Sequence, residues 1–107
     1  MKNWETILKK SLKVGLVEGR HPLPVEEYIF ESLPKEGTLK DKIPRLTTIA
    51  EKWIEDKGQI GIDLYITGMT PILTAFLKAW KRIRGDEGEL MLYHYDISTK
   101  DYWAEKW

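Results

Sequence analysis

Residues 60–84, IGIDLYITGMTPILTAFLKAWKRIR, decide the predicted fold. Apolar residues alternate with other residues at the start of this stretch, which is the period of a β-strand. These apolar residues are Ile60, Ile62, Leu64 and Ile66. A second apolar set recurs at helical spacing after Thr70 and Pro71, which suit an N-cap and a first helical position. This set is Leu73, Phe76, Leu77, Trp80 and Ile83. The stretch therefore predicts a strand that leads through a tight turn into a helix.

Working outward, the flanking segments repeat this alternation of strand and helix. Residues 12–18 predict a strand, and a helix is predicted from about Asp41, with Pro44 in its first turn, to a C-cap at Gly58. Residues 90–96 predict another strand, and residues 97–106 a hairpin return through a turn at 98–101. Residues 25–33 suit a short helix, although a strand stays open there, and residues 4–10 suit a short helix or a frayed end.

Strands that alternate with helices indicate a parallel sheet with right-handed crossovers. The predicted fold is therefore α/β, a small Rossmann-like open sheet that is mostly parallel, with a C-terminal hairpin strand and helices in three layers. Residues 1–107 are predicted to form a single domain.

Composition excludes several classes of function. Seventeen basic residues balance seventeen acidic residues, so we expect neither duplex DNA binding nor a polybasic membrane contact. The absence of Cys excludes disulfide scaffolds and thiol chemistry. No apolar run has the length of a membrane span, and residues 1–5 lack the apolar core of a signal peptide, so a cytoplasmic location is expected. Abundant Lys and Glu, with Asn3 and Gln59 the only amides, suggest a thermophilic host.

The candidate site follows from the predicted parallel sheet. Ligands bind beyond the carboxyl ends of parallel strands, where this chain has three polar segments, 19–22, 67–70 and 94–96. The predicted catalytic residues are His21 and His94. The predicted ligand-binding residues are Arg20, Thr67, Gly68, Met69, Thr70 and Asp96. No cofactor is predicted, and no metal site, since the two His and Asp96 come from different elements without ligand spacing.

Each part of this site has a purely structural alternative. Residues 67–71 suit an anion site at a helix N-terminus, but they suit a turn followed by a helix cap equally well. The P-loop and GxGxxG patterns of nucleotide-binding proteins are both absent. The structural alternative for His21 is to brace its loop. The alternative for His94 is a core histidine whose ring is hydrogen-bonded to the backbone, and the alternative for Asp96 is to cap a turn. Trp103 and Trp107 suit either a dimer interface or stacking on a base.

Three segments together resemble a known family. They are Gly19-Arg20-His21-Pro22-Leu23-Pro24, Leu64-Tyr65-Ile66-Thr67-Gly68-Met69-Thr70-Pro71 and Leu92-Tyr93-His94-Tyr95-Asp96. In layout the chain resembles small accessory proteins of type III CRISPR systems, which include ring nucleases and non-catalytic sponges for cyclic oligoadenylate.

The resemblance implies a homodimer with the cyclic nucleotide across a two-fold interface. It also implies that Arg20, His21, Thr67, Gly68 and Thr70 line the pocket. The chain departs from the ring nucleases in lacking an obvious Ser/Lys pair at that position, which puts cleavage in more doubt than binding. Two other functions stay open: a generic mononucleotide- or phosphate-binding domain, and a non-enzymatic oligomeric interaction module.

Overall fold

The computed structural model describes residues 11–18, 23–30, 37–58, 60–66 and 70–107. These residues contain five strands and two helices, which we number in chain order. They are β1 (Leu12–Val17), β2 (Glu27–Phe30), α1 (Leu39–Lys57), β3 (Ile62–Tyr65), α2 (Thr70–Arg84), β4 (Leu90–Asp96) and β5 (Asp101–Lys106).

The strands form one sheet in the order β2-β1-β3-β4-β5. The first four strands run parallel, and β5 pairs antiparallel with β4. This arrangement confirms the predicted α/β class, the mostly parallel open sheet and the C-terminal hairpin strand.

Both described helices pack against each other and contribute to one apolar core. Alternate residues of the central strands face that core, among them Val14 of β1, Leu64 of β3 and Leu92 of β4. The described helices therefore share one face of the sheet, which we call the helix face. The predicted third layer is not formed by them, and the helix considered for residues 4–10 lies outside the described residues.

Helix α1 begins two residues earlier than predicted. Thr38 is its N-cap, and the Thr38 hydroxyl accepts a hydrogen bond of 3.2 Å from the backbone N–H of Asp41. Pro44 consequently lies inside the helix and not in its first turn. The helix ends at the predicted C-cap, Gly58, which has a φ of 72° that an L-residue rarely adopts.

The short helix considered for residues 25–33 was wrong, because residues 27–30 form strand β2. Strand β1 offers backbone groups on this side, and they hold the segment in extended form. Glu26 donates its N–H to the carbonyl of Lys13 at 2.8 Å, and Glu18 donates to the carbonyl of Phe30 at 3.0 Å. Tertiary pairing thus overrides the local preference for helix.

Gly15 has no room for a side chain. A Cβ built there would lie 2.5 Å from Cε1 of Tyr28 and 3.2 Å from Cδ1 of Leu23. We expect Gly15→Ala to lower the free energy of unfolding by about 1–3 kcal/mol, the usual cost of overpacking. Urea denaturation measures this. Gly61→Ala is the matched control, since its nearest atom is a rotatable Ser11 hydroxyl at 3.2 Å; equal losses in both variants would contradict the steric explanation.

Candidate functional site: the carboxyl edge of the parallel strands

The carboxyl ends of the parallel strands meet at one edge of the sheet. The chain leaves β1 toward β2 on one side and leaves β3 toward β4 on the other, although β1 and β3 are neighbours. This reversal is a topological switch point, where open α/β sheets bind their ligands. Glu18 and Ile66 are the last described residues before the two segments that begin there.

Helix α2 begins at the same edge, directly after β3. Its first turn contains no acidic residue, whereas the first turn of α1 contains Asp41. The first turn of α2 therefore does not offset the partial positive charge of the helix N-terminus, which favours an anion there. This helix begins one residue earlier than predicted, so Thr70 is its first residue and not its N-cap. The Thr70 carbonyl accepts a hydrogen bond from the Thr74 hydroxyl at 3.1 Å.

Five of the predicted site residues lie outside the described residues. They are Arg20, His21, Thr67, Gly68 and Met69. Their roles stay predictions, since only the bounds of the flanking elements locate them. The described members of the predicted site are Thr70, His94 and Asp96.

His94 lies on a hairpin arm that extends past the neighbouring strand. The pairing of β3 with β4 ends at Tyr65 and Tyr93, so the last residues of β4 pair only with β5. The His94 ring stacks on Trp103, with ring centroids 4.4 Å apart, and its Nε2 donates to Oε1 of Glu105 at 2.7 Å. The side chain is 27% exposed, so His94 is a partly exposed, carboxylate-paired histidine and not the core histidine considered from sequence.

The pairing of His94 has a chemical consequence. A carboxylate can only accept from the ring, so Glu105 fixes the proton of the neutral imidazole on Nε2. Nδ1 is then the ring atom left to accept a hydrogen bond. In this state His94 suits a general base or an orienting group through Nδ1 better than it suits a proton donor.

Asp96 closes the turn of the same hairpin. Its Oδ1 accepts from the backbone N–H of Ser98 at 2.8 Å and from the Ser98 hydroxyl at 2.6 Å. These two hydrogen bonds hold the pKa of Asp96 below its ordinary value. The turn-capping alternative therefore accounts for Asp96 without a ligand.

A cluster that sequence reasoning missed lies on the opposite face of the sheet. Strand register places all five tyrosines on the sheet face opposite Val14, Leu64 and Leu92. They are Tyr28, Tyr65, Tyr93, Tyr95 and Tyr102. The rings of Tyr65 and Tyr93 stack at 4.6 Å, and Tyr102 meets the Tyr65 ring edge-on at 5.0 Å. We call this the tyrosine face, and its mutual ring contacts account for it as packing.

Asp63 lies on the tyrosine face beside these rings. Burial raises the pKa of its carboxyl above the ordinary 3.8, and Lys13 offsets part of that increase. The charged Asp63 in turn adds to the rise in the pKa of Tyr65 and of Tyr93, which is mainly due to burial. The ionised Asp63 is therefore less favourable in the folded state than in the unfolded chain.

The raised pKa of Asp63 predicts a pH dependence of stability. The folded state binds the Asp63 proton more tightly, so this contribution is present below 3.8 and is lost as the pH rises through the higher folded value. We expect Asp63→Asn to be more stable than the wild type at pH 7 and to lose this advantage in acid. Urea denaturation across pH tests this, with Asp86→Asn, an exposed turn residue, as the control. A less stable Asp63→Asn at pH 7 would contradict the assignment.

Two cavities lie elsewhere in the described part of the chain. One of about 420 Å³ flanks β2 and α1, where Glu27 already pairs with Lys57 at 2.7 Å and with the indole N–H of Trp53 at 3.1 Å. The other, of about 460 Å³, lies at the amino edge of β4 between Trp80 and Trp107. The first cavity runs along the edge strand β2, and the second is at the edge opposite to the candidate site. Segments 19–22 and 67–69, which follow β1 and β3 in the chain, are outside the described residues.

Comparison with known proteins found no matching family model, no similar characterised sequence and no similar solved structure. Among the described residues, no helix is both long enough and apolar enough to cross a membrane. In that same part of the chain, no three potential metal ligands lie together.

Proposed function

We propose that the chain binds a cyclic oligoadenylate at the carboxyl edge of its parallel strands and lowers the free concentration of this messenger. The switch point between β1 and β3 carries the proposal, because segments 19–22 and 67–69 both begin at this edge. The resemblance to type III CRISPR accessory proteins selects this ligand among anions.

The residue types of these segments suit a small anionic ligand. The guanidinium of Arg20 pairs with a phosphate through two N–H groups, and the hydroxyls of Thr67 and Thr70 add donors. The α2 N-terminus, free of acidic residues, adds a partial positive charge at the same edge. A neutral chain can bind such a ligand because the positive groups are local.

Cleavage, where it occurs, would need no metal. The ribose 2′-oxygen forms a bond to phosphorus while the bond from phosphorus to the 5′-oxygen breaks, which leaves a 2′,3′-cyclic phosphate. A base takes the 2′-hydroxyl proton, and an acid protonates the departing 5′-oxygen. His21 and His94 are the proposed catalytic residues, and the Nδ1 acceptor of His94 suits the base. Holding the 2′-oxygen in line with the phosphorus supplies much of the rate.

A ligand titration tests binding. Calorimetry with cyclic tetra-adenylate is expected to show saturable binding, with linear tetra-adenylate as the matched ligand control. ATP and NAD are titrated in the same way. Binding of ATP or NAD but not of the cyclic ligand would replace the proposal with a generic nucleotide-binding domain. If none of these ligands binds, the ligand-binding proposal is contradicted and a non-enzymatic interaction module is the remaining function.

Product analysis separates sequestration from cleavage. The protein is incubated with cyclic tetra-adenylate in EDTA, and the products are resolved by chromatography and mass. Linear products ending in cyclic phosphate, formed at least 100-fold more slowly by His21→Ala, would indicate a metal-independent ring nuclease. Unchanged ligand that stays bound would indicate a sponge. A requirement for added metal would contradict the proposed mechanism.

A further inference from the structure

Strand β5 is the outer strand of the sheet, and its hairpin carries an unusual concentration of exposed apolar surface. Of the large apolar side chains that are exposed in the described residues, all but Ile49 belong to this hairpin or directly follow it. They are Tyr95 (51% exposed), Ile97 (82%), Trp103 (51%) and Trp107 (58%). An unpaired edge strand with such surface is a ready site for pairing with another strand.

The free edge of β5 presents a defined set of backbone groups. Trp107 donates its N–H to the carbonyl of Leu90 at 2.9 Å, so its backbone faces β4. Because backbone groups alternate in direction along an antiparallel strand, those of Glu105 and Trp103 also face β4. The N–H and C=O groups of Tyr102, Ala104 and Lys106 consequently face outward. No strand in the described part of the chain pairs with them, and the Tyr102 N–H donates only to Oδ1 of the adjacent Asp101, at 2.8 Å.

We propose that two copies of this chain form a dimer by antiparallel pairing of their β5 strands, with Ala104 on the two-fold axis. Such an axis is perpendicular to the sheet, so directly opposite residues must lie on the same face. Centred on Ala104, the pairing places Tyr102 opposite the partner's Lys106 on the tyrosine face. It places Trp103 opposite the partner's Glu105 on the helix face. Every outward-facing residue of β5 then enters a hydrogen-bonded pair.

The charges of the opposed side chains and the number of paired residues favour this register over the other symmetric registers. Centring on Trp103 would place Asp101 opposite the partner's Glu105, and centring on Glu105 would place two carboxylates face to face. Like charges directly opposite destabilise a strand pair. Centring on Tyr102 would leave the end of β5 unpaired. Centring on Ala104 opposes no like charges, puts a small side chain on the axis and sets an ammonium against an aromatic ring.

The described helices leave space for the partner. Strand β5 packs on β4 and makes no comparable contact with either helix, and Trp103 and Glu105 on the helix face are exposed. The two sheets can therefore join edge to edge into one continuous sheet. Their carboxyl edges then point in opposite directions, so each copy keeps its own candidate ligand site. This geometry gives one ligand per chain and differs from a ligand shared across the two-fold axis.

Charge variants at Ala104 test the dimer and its register. Light scattering and sedimentation are expected to give the wild type twice the 12.6 kDa mass of one chain. Ala104→Glu and Ala104→Lys place like charges on the axis, so each alone is expected to dimerise about fivefold more weakly. Mixed together they are expected to form a heterodimer in preference to either homodimer, as native mass spectrometry would show. Ala104 is exposed, so the monomer fold is retained.

Ile97→Glu and Ile97→Lys are the matched controls. Ile97 is exposed in the turn of the same hairpin but lies outside the proposed pairing, so these variants are expected to dimerise like the wild type. A monomeric wild type at all concentrations would overturn the dimer. Ala104 variants that dimerise normally, or that show no preference for each other, would overturn the interface and its register. These measurements use no ligand, so their outcome does not test the proposed function, which the ligand titration tests separately.

Discussion

The double variant Arg20→Ala/His21→Ala is expected to bind cyclic tetra-adenylate on the order of 100-fold more weakly than the wild type, since a hydrogen bond to a charged group contributes about 1.5–3 kcal/mol. Arg20 supplies the charge-assisted pairing with a phosphate, and His21 adds a donor beside it. Both residues follow β1 in the chain, and the carboxyl end of β1 is at the switch point. Calorimetric titration measures the loss.

Lys81→Ala is the control for charge alone. Lys81 is an exposed cation in the last turn of α2, at the other end of the helix from the candidate site. The Lys81→Ala variant is expected to bind the cyclic ligand as tightly as the wild type does. Unchanged affinity in the double variant, or an equal loss in Lys81→Ala, would place the ligand elsewhere. Thermal melting of each variant shows whether the fold is intact.

Trp80→Ala is expected to lower the free energy of unfolding by about 3–5 kcal/mol, the usual cost of removing a buried aromatic side chain. Trp80 is 2% exposed, lies 6.1 Å from Phe76 between ring centroids, and lies beneath the guanidinium of Arg84 at 5.9 Å. Gly88 also packs on this ring, where a Cβ would overlap Cζ2. The site is closed on several sides, so the cavity cannot collapse cheaply.

Urea denaturation with fluorescence and circular dichroism measures the Trp80→Ala loss. Lys78→Ala, on the exposed side of the same helix, is the control and is expected to change stability by less than about 0.5 kcal/mol. A loss below about 1 kcal/mol in Trp80→Ala would contradict the packing seen around α2.

The sequence was most informative where local pattern and tertiary pairing agree. Strand β4 has its predicted bounds, and β3 and α2 lie within the predicted strand–turn–helix stretch. In these elements the residues that the apolar pattern places on one face are the residues that the core buries. The sequence leaves helix and strand open for residues 25–33, because β2 has only four residues and owes its extended form to hydrogen bonds with β1.

The candidate site was predictable only as far as chain order allows. Parallel strands place their carboxyl ends together, so the common edge follows from the sequence of elements. The contacts of His94 with Trp103 and Glu105 depend on hairpin register, which Lys100 sets by its φ of 57° at the end of the turn. No sequence pattern gives that register. The tyrosine face had a partial signal, because Tyr65, Tyr93 and Tyr95 are out of phase with the core residues of their own strands. Only the strand order brings the rings together.

Localising the ligand by NMR tests the central proposal most directly. Backbone amides are assigned, and cyclic tetra-adenylate is added in steps. The proposed site predicts the largest shift changes at Glu18, Ile66 and Thr70, which flank the switch point. Largest changes instead around the cavity at Gly88 and Trp107, on the amino edge, or no changes at saturating ligand, would contradict a cyclic oligoadenylate site at the carboxyl edge of β1 and β3.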